Sequence, residues 1–407
     1  MQEKLLQRFL RYVAVPSQSN AANANVPSSE GQRKLAELLK QDLAELGLVD
    51  LEISKYSVLT GKLPAYLPEG CTKEVPAVGW CAHLDTIDIN MSPEIHPQVV
   101  KNYQGGDVCL NKEKDIWIRT AEHPELEKYV GEDIVFTDGT SVLGADNKAA
   151  IANIMVALET IVNEKRCHGD IYVAFVPDEE IGLRGSKKMD FAYTIDCCEL
   201  GEVVYQTFNA GTAIVKIKGV SAHPMSAKGV LINPTLLAVD LVNMFDRTQT
   251  PECTEGTEGY IWVKSIVSND TYATVTLDIR DHNKKRYEER KAEIAANAEK
   301  LQAMYPRAEV TCTMSDTYGN INDAVTEDNK YCIDYLYTAM EKLGIKPITL
   351  AMRGGTDGSF ISTKGILTPN YFTAGHNFHS NCEFLPLGAM EKSCKLTLEL
   401  VDLIYNK

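Results

Sequence analysis

With 407 residues the chain exceeds what one average hydrophobic core organises, so two domains are expected. Apolar residues at 44% and charged residues at 24% match ordinary globular usage and exclude disorder as the main state. A formal net charge of −15 at pH 7 repels phosphate backbones and argues against a nucleic-acid partner.

The first predicted element is an amphipathic helix over residues 3–13. Its charges at Glu3, Lys4, Arg8 and Arg11 interrupt any export-signal core, so a cytoplasmic chain is expected. The most apolar later stretch, Ala149 to Leu158, contains Asn153 and falls short of the ~20 residues that span a bilayer, so no membrane partner is expected. A second helix is predicted from Ser29, with Ser29 and Gln32 as a capping box, to about Gly47. Strand-like runs follow at Val75–Ala82, Ile171–Val176 and Phe191–Ile195, with a helix at 147–164 between the first two. Strand, helix, strand order predicts an α/β sheet covered on both faces.

The pattern changes near Asn209. Residues 212–219 and 272–280 alternate like half-buried antiparallel strands. A charged helix over 284–305 and a strand over 309–314 complete an α+β insert, and a terminal helix starts at Leu387. The expected architecture is a catalytic α/β domain, with a mixed, mostly parallel sheet flanked by helices, built from residues 1–208 and 323–407. A smaller α+β lid domain, 209–322, is inserted in it. The 11 cysteines are odd in number and hold no C-x-x-C pair, so they read as reduced thiols, the adjacent Cys197 and Cys198 included.

Several apolar runs end in residues that bind metals, at the strand ends where α/β sheets place ligands. The first ends His83-Leu84-Asp85, an imidazole with a carboxylate able to accept its other ring N–H. The second ends Asp178-Glu179-Glu180, adjacent acids that repel unless a cation or proton separates them. The third ends at Asp196. Asp146 precedes an apolar helix, where a carboxylate can bridge two cations, and His379 follows the apolar run 366–372. Each also reads as an ordinary polar turn; their joint appearance at strand ends is the signal.

Read together, Val26–Gly31, His83–Thr86, Gly144–Lys148, Pro177–Glu180, Tyr193–Asp196, His223-Pro224, Ala227–Gly229 and Arg353–Gly358 resemble, in order, the peptidase T family of the zinc aminoacylase and carboxypeptidase superfamily. The resemblance covers nearly the whole chain. It implies two zinc ions, one held by His83, Asp146 and Asp196 and the other by Asp146, Glu180 and His379. It further implies Glu179 as general base, Asp85 as orienting partner of His83, and His223 as oxyanion donor. Donors of this kind, without thiolate, suit catalytic zinc, although manganese and cobalt accept them too. Arg280 and Arg353 are candidates for the substrate carboxylate, because a guanidinium fork matches that group. The chain departs from the family at Cys197-Cys198, where two glycines are usual, at Met225-Ser226, and at His376 and Ser380–Cys382 around His379. His376 has no family role and is read as a surface or pocket-wall residue. His96, His123, His168 and His282 carry no motif.

The implied activity is removal of the N-terminal residue from tripeptides, with short peptides as partners and a homodimer left open. The nearest rivals are a dipeptidase, a carboxypeptidase and an acyl-amino-acid amidohydrolase of the same superfamily. A metal-bound peptide-binding protein without turnover is the rival from another class, and an intact Glu179 argues against it.

Overall fold

The computed structural model describes residues 1–180 and 191–406, and its chain divides into two compact units. The larger comprises 1–205, 324–350 and 356–407; the smaller comprises 206–323 together with 351–355.

The larger unit is built on an eight-stranded mixed sheet. Its order is Val49–Ile53, Leu59–Leu63, Ile171–Val176, Val78–His83, Phe191–Cys197, Asn370–Phe372, Glu202–Gln206 and Ile348–Ala351. The four strands from Ile171–Val176 to Asn370–Phe372 run parallel, and antiparallel partners flank them. The run Val78–His83 is buried at every residue, as expected of a parallel strand covered on both faces. It begins three residues later than the apolar pattern suggests, just past Pro76, which lacks the N–H a ladder needs.

On one face pack the helices Gln2–Val13, Ala145–Glu164 and Leu387–Asn406, tied by Asn153 to Ser393 and Thr397. The helix Glu30–Glu45 contacts the edge strands, and the short helix Asp357–Ser362 covers Cys81 and Ala192. The Ser29–Gln32 capping box does not form: Ser29 makes no cap bond to the helix backbone, and the Gln32 amide turns to Asp178. The helix predicted from Asn147 starts at Ala145, with Asp146 and Asn147 in non-helical conformation.

The smaller unit is a four-stranded antiparallel sheet ordered Tyr260–Ser268, Tyr272–Asp281, Asn209–Lys218, Glu309–Tyr318. Alternate residues Ala213, Val215 and Ile217 meet Val275, Leu277, Ile294, Leu301 and Leu241, so the helices Pro234–Val242 and Lys284–Met304 close one face over a core. All eleven cysteines are free. No helix among the described residues is long and apolar enough to cross a membrane.

Candidate active site

Three strand ends and two turns of the larger unit bring seven of the predicted residues together. His83 closes its strand and Asp196 stands one residue before the end of Phe191–Cys197. Glu179 and Glu180 follow the strand Ile171–Val176 across the turn at Asp178. Asp146 occupies the irregular start of its helix, after Gly144 in the left-handed region at φ 74°. A Cβ on Gly144 would stand 3.1 Å from both Thr86 and Ile95, so the turn favours glycine on space as well as on conformation. His379 itself has φ 59°.

Asp146 is the centre of the arrangement. Its Oδ1 lies 2.9 Å from His83 Nε2, and its Oδ2 lies 3.1 Å from His379 Nε2. The second histidine also meets Glu180 at 3.1 Å, and His83 Nε2 is 3.9 Å from Asp196. His83, Asp146 and Asp196 form one group whose ligand atoms lie within 4.8 Å of one another; Asp146, Glu180 and His379 form a second; His83, Glu179 and Glu180 form a third. Asn147 holds Asp196 by a 2.6 Å bond to its Oδ1.

The electrostatics describe a site short of positive charge. Burial pushes Glu179 well above the usual carboxylate range, and Asp196, Asp357 and Glu180 add to the shift. Burial followed by Asp146 does the same to Asp196 and Glu180. Burial would raise Asp146 as well, but hydrogen bonds from His379 and His83 outweigh it and hold the group low. Contacts with Asp146 and Glu180 lift His379 to about 10. Among the described residues, protons on imidazoles and acids supply the compensation. A divalent cation between the same donors does that work better, so the residues fit the metal they are expected to hold.

Asp85 lies beside His83, as expected, and makes further contacts. His83 Nδ1 lies 3.0 Å from the Asp85 main-chain carbonyl and 3.5 Å from its carboxylate. That carboxylate instead accepts the N–H groups of Glu179 and Glu180, at 3.0 and 3.2 Å. Two backbone donors hold it more directly than the ring does, so Asp85 orients the acidic turn as well as the imidazole.

His376, read as a surface or pocket-wall residue, is buried. Its Nε2 lies 2.7 Å from the Tyr129 hydroxyl and its ring stacks on Phe384, burial pushing it down to about 4. Neighbouring Asn377 donates to Glu125 Oε1 at 2.9 Å, which anchors the turn carrying His379.

The other three candidates belong to the smaller unit. His223 is exposed, and its Nδ1 accepts the Met225 N–H at 3.2 Å, which leaves the ring proton on Nε2. Arg353 is engaged locally: Nη1 donates to the carbonyls of Gly256 and Glu258 at 3.2 and 2.9 Å, and Nη2 to Thr254 Oγ1 at 2.7 Å. Arg280 is 3.7 Å from the Asp278 carboxylate, and its buried Nη1 has no hydrogen-bond partner among the described residues.

Sequence reasoning missed four buried charged groups around the metal ligands. Glu383 accepts the N–H groups of Leu143, Gly144 and Asp146 at 2.6, 3.0 and 3.2 Å. Lys148, fully buried, donates to the Val15 carbonyl at 2.8 Å, and burial brings it down to about 7. Asp357, which burial raises to about 7, lies 3.9 Å from the Cys81 thiol. The fourth is Asp178. Lys148, Asp178 and Asp357 lie inside the short motifs read from the sequence, where nothing set them apart from their neighbours, and Glu383 lies four residues past His379.

The sequence profile of peptidase family M20/M25/M40 matches residues 144–403, a span that carries Asp146, Glu179, Glu180, Asp196 and His379. A peptidase T-like protein of Yersinia pestis is 50% identical over 404 residues, covering 98% of this chain and 97% of its own. Peptidase T of Fusobacterium nucleatum is 42% identical over 407 residues, covering 98% and 97%. Among solved structures, a tripeptidase from Staphylococcus aureus superposes with a TM-score of 0.74 at 20% identity, covering 100% of this chain and 99% of that one, a likeness of fold. A match over most of the sheet-forming sequence, joined to identities of this size along the whole length, means that the chain belongs to peptidase family M20/M25/M40.

Proposed function

We propose that this chain is a dinuclear zinc aminopeptidase that releases the N-terminal residue from tripeptides. The observation that carries the reading is Asp146, one carboxylate shared between two ligand groups with Glu179 beside them. The names of the relatives, peptidase T and tripeptidase, support the substrate class. His83, Asp146 and Asp196 would hold one ion, and Asp146, Glu180 and His379 the other. Bound there, the ions lower the pKa of a water and polarise the scissile carbonyl.

The remaining chemistry belongs to side chains. Glu179, kept basic enough by its buried, acidic surroundings, takes the water proton and passes it to the leaving amine. His223, with its proton on Nε2, is a donor for the developing oxyanion. Arg280 is the better candidate for the substrate carboxylate: among the described residues its Nη1 has no acceptor, whereas three bonds to the 254–258 loop occupy Arg353.

The test is kcat/KM for alanine di-, tri- and tetrapeptides, with products identified and metal content measured on the same preparation. The proposal expects the tripeptide to be cut fastest, at its first bond, by protein holding two metal ions. Losing a charge-assisted bond costs roughly 1.5–3 kcal/mol, so amidating the tripeptide C-terminus should cost about 10–150-fold. Equal rates on all three peptides, or release of the C-terminal residue first, would overturn it.

A further inference from the structure

The segment Val26–Gly31 carries none of the proposed metal ligands, and the mechanism above has no use for it. Its Ser28, together with Gln32 just beyond it, bonds Asp178. This residue immediately precedes Glu179, is fully buried, and has φ 57°, a left-handed conformation that L residues other than glycine seldom adopt.

Five hydrogen bonds define the contact. The Asp178 carboxylate accepts the Ser28 N–H at 2.8 Å, the Ser28 hydroxyl at 2.5 Å and the Gln32 amide at 2.7 Å. The Asp178 N–H donates back to Gln32 Oε1 at 2.9 Å. Ser28 Oγ accepts the Asn20 N–H at 2.8 Å, so its single proton is directed to Asp178. Gly31 permits the approach: a Cβ there would stand 1.7 Å from the Pro16 carbonyl oxygen. From the other side Asp85 takes the N–H groups of Glu179 and Glu180.

We propose that Ser28 and Gln32 form a clamp on Asp178 that positions Glu179 for proton transfer. The inference rests on the reading of Glu179 as the base. Both clamp residues are buried. They act through Asp178, holding the backbone from which the base projects, and a base displaced by a fraction of an ångström transfers its proton poorly.

The experiment uses the full chain loaded with zinc. Gln32→Met and Ser28→Ala each remove part of the clamp, and Ser28→Thr keeps the hydroxyl. Three readouts are taken: kcat and KM on trialanine, metal content, and hydrogen exchange at the Glu179 and Glu180 amides by mass spectrometry. For Gln32→Met and Ser28→Ala the clamp predicts a fall in kcat of about 10–100-fold with KM within about threefold. It also predicts wild-type metal content and exchange at the two amides faster by at least about tenfold. Exchange in the helix Gln2–Val13 should not change, and Ser28→Thr should keep near-wild-type kcat. Unchanged kcat and exchange in both variants would overturn the clamp. So would a loss that appears only as faster exchange across the whole chain. Wild-type protein without tripeptide activity would sink the proposed function instead, while the exchange measurement would still decide the clamp.

Discussion

Glu383 offers a sharp test of how the bridging ligand is held. Glu383→Gln preserves volume and leaves one oxygen in place of two. If that oxygen keeps the Leu143 and Gly144 N–H groups, the amide NH2 faces the Asp146 N–H, which loses its acceptor. A buried donor without a partner costs about 1–3 kcal/mol, and weakening two charge-assisted bonds to neutral ones adds about 1 kcal/mol. Against this, burial and then Asp146 raise Glu383 to about 7, so removing its charge returns part of the loss. The net expectation is about 1–3 kcal/mol, focused on the backbone of Asp146. Because Asp146 faces both histidines, metal affinity should fall by about 10–100-fold, the usual effect of losing a ligand's supporting partner. Competition against a chelator of known strength measures this, with thermal unfolding in parallel. Wild-type metal affinity in a folded variant, whatever its Tm, would refute the reasoning.

Glu179→Gln should retain both metals and lose about 10²–10⁴-fold in kcat, because an amide cannot accept the water proton; activity within a few-fold of wild type would remove it from the mechanism. His223→Ala should lower kcat more than it raises KM, as a donor acting in the transition state would, and an unchanged kcat would assign it to structure. His376 is held neutral, its folded pKa of about 4 lying below the ordinary 6.5. The unfolded chain therefore binds more protons between these values, and the stability His376 contributes, complete above pH 6.5, is lost as pH falls toward 4. The full loss is roughly 3 kcal/mol, and the unfolding free energy of a His376→Phe variant should depend less steeply on pH through that window.

His83, Glu180 and Asp196 were legible as candidate ligands because each closes or follows an apolar run, and a strand end is where an α/β sheet presents chemistry, whereas Asp146 stood out only as a carboxylate before an apolar helix. His83 and Asp196 stand in or at the end of fully recognisable strands. The sheet's flank was not legible: Val49–Ile53 is largely exposed and Leu59–Leu63 carries Thr60 and Lys62, so neither shows a run long enough to register. The supporting acids were illegible for a different reason. Glu383 acts on backbone N–H groups 237–240 residues away, and Asp178 on Ser28 at a separation of 150. Backbone donors have no residue type, so no pattern in sequence marks their acceptor. His376 was read as a surface or pocket-wall residue because it has no family role, whereas a neutral imidazole between Tyr129 and Phe384 is a good aromatic core residue.

Each turn that carries a proposed ligand is thus held by an acid outside the proposed ligand set: Glu179 and Glu180 by Asp85, Asp146 by Glu383, and the His379 turn by Glu125 through Asn377. Carboxylates suit the task because strand ends leave N–H groups without ladder partners. Their cost is added negative charge, which cations held by the proposed ligands would offset. Protein stripped of metal should therefore lose stability as pH rises. Glu179, Glu180 and Asp196 have folded pKa values above their ordinary ones, so the folded chain binds more protons than the unfolded chain, and raising the pH removes that advantage. His379 adds to the same trend: raised to about 10 by Asp146 and Glu180, its contribution is complete below 6.5 and declines above it. Asp146, held low, is ionised throughout and contributes no slope near neutrality. From pH 6.5 to 8 the His379 part is at most about 2 kcal/mol, and with its side chain 45% exposed, screening reduces that to about 1 kcal/mol. The measurement is the unfolding free energy of stripped wild type and stripped His379→Asn at pH 6 and pH 8. The wild type should lose more across that interval than the variant, by about 1 kcal/mol. Equal losses, or a stripped wild type that gains stability at pH 8, would show that the imidazole and the acids are not coupled through the charge of this site.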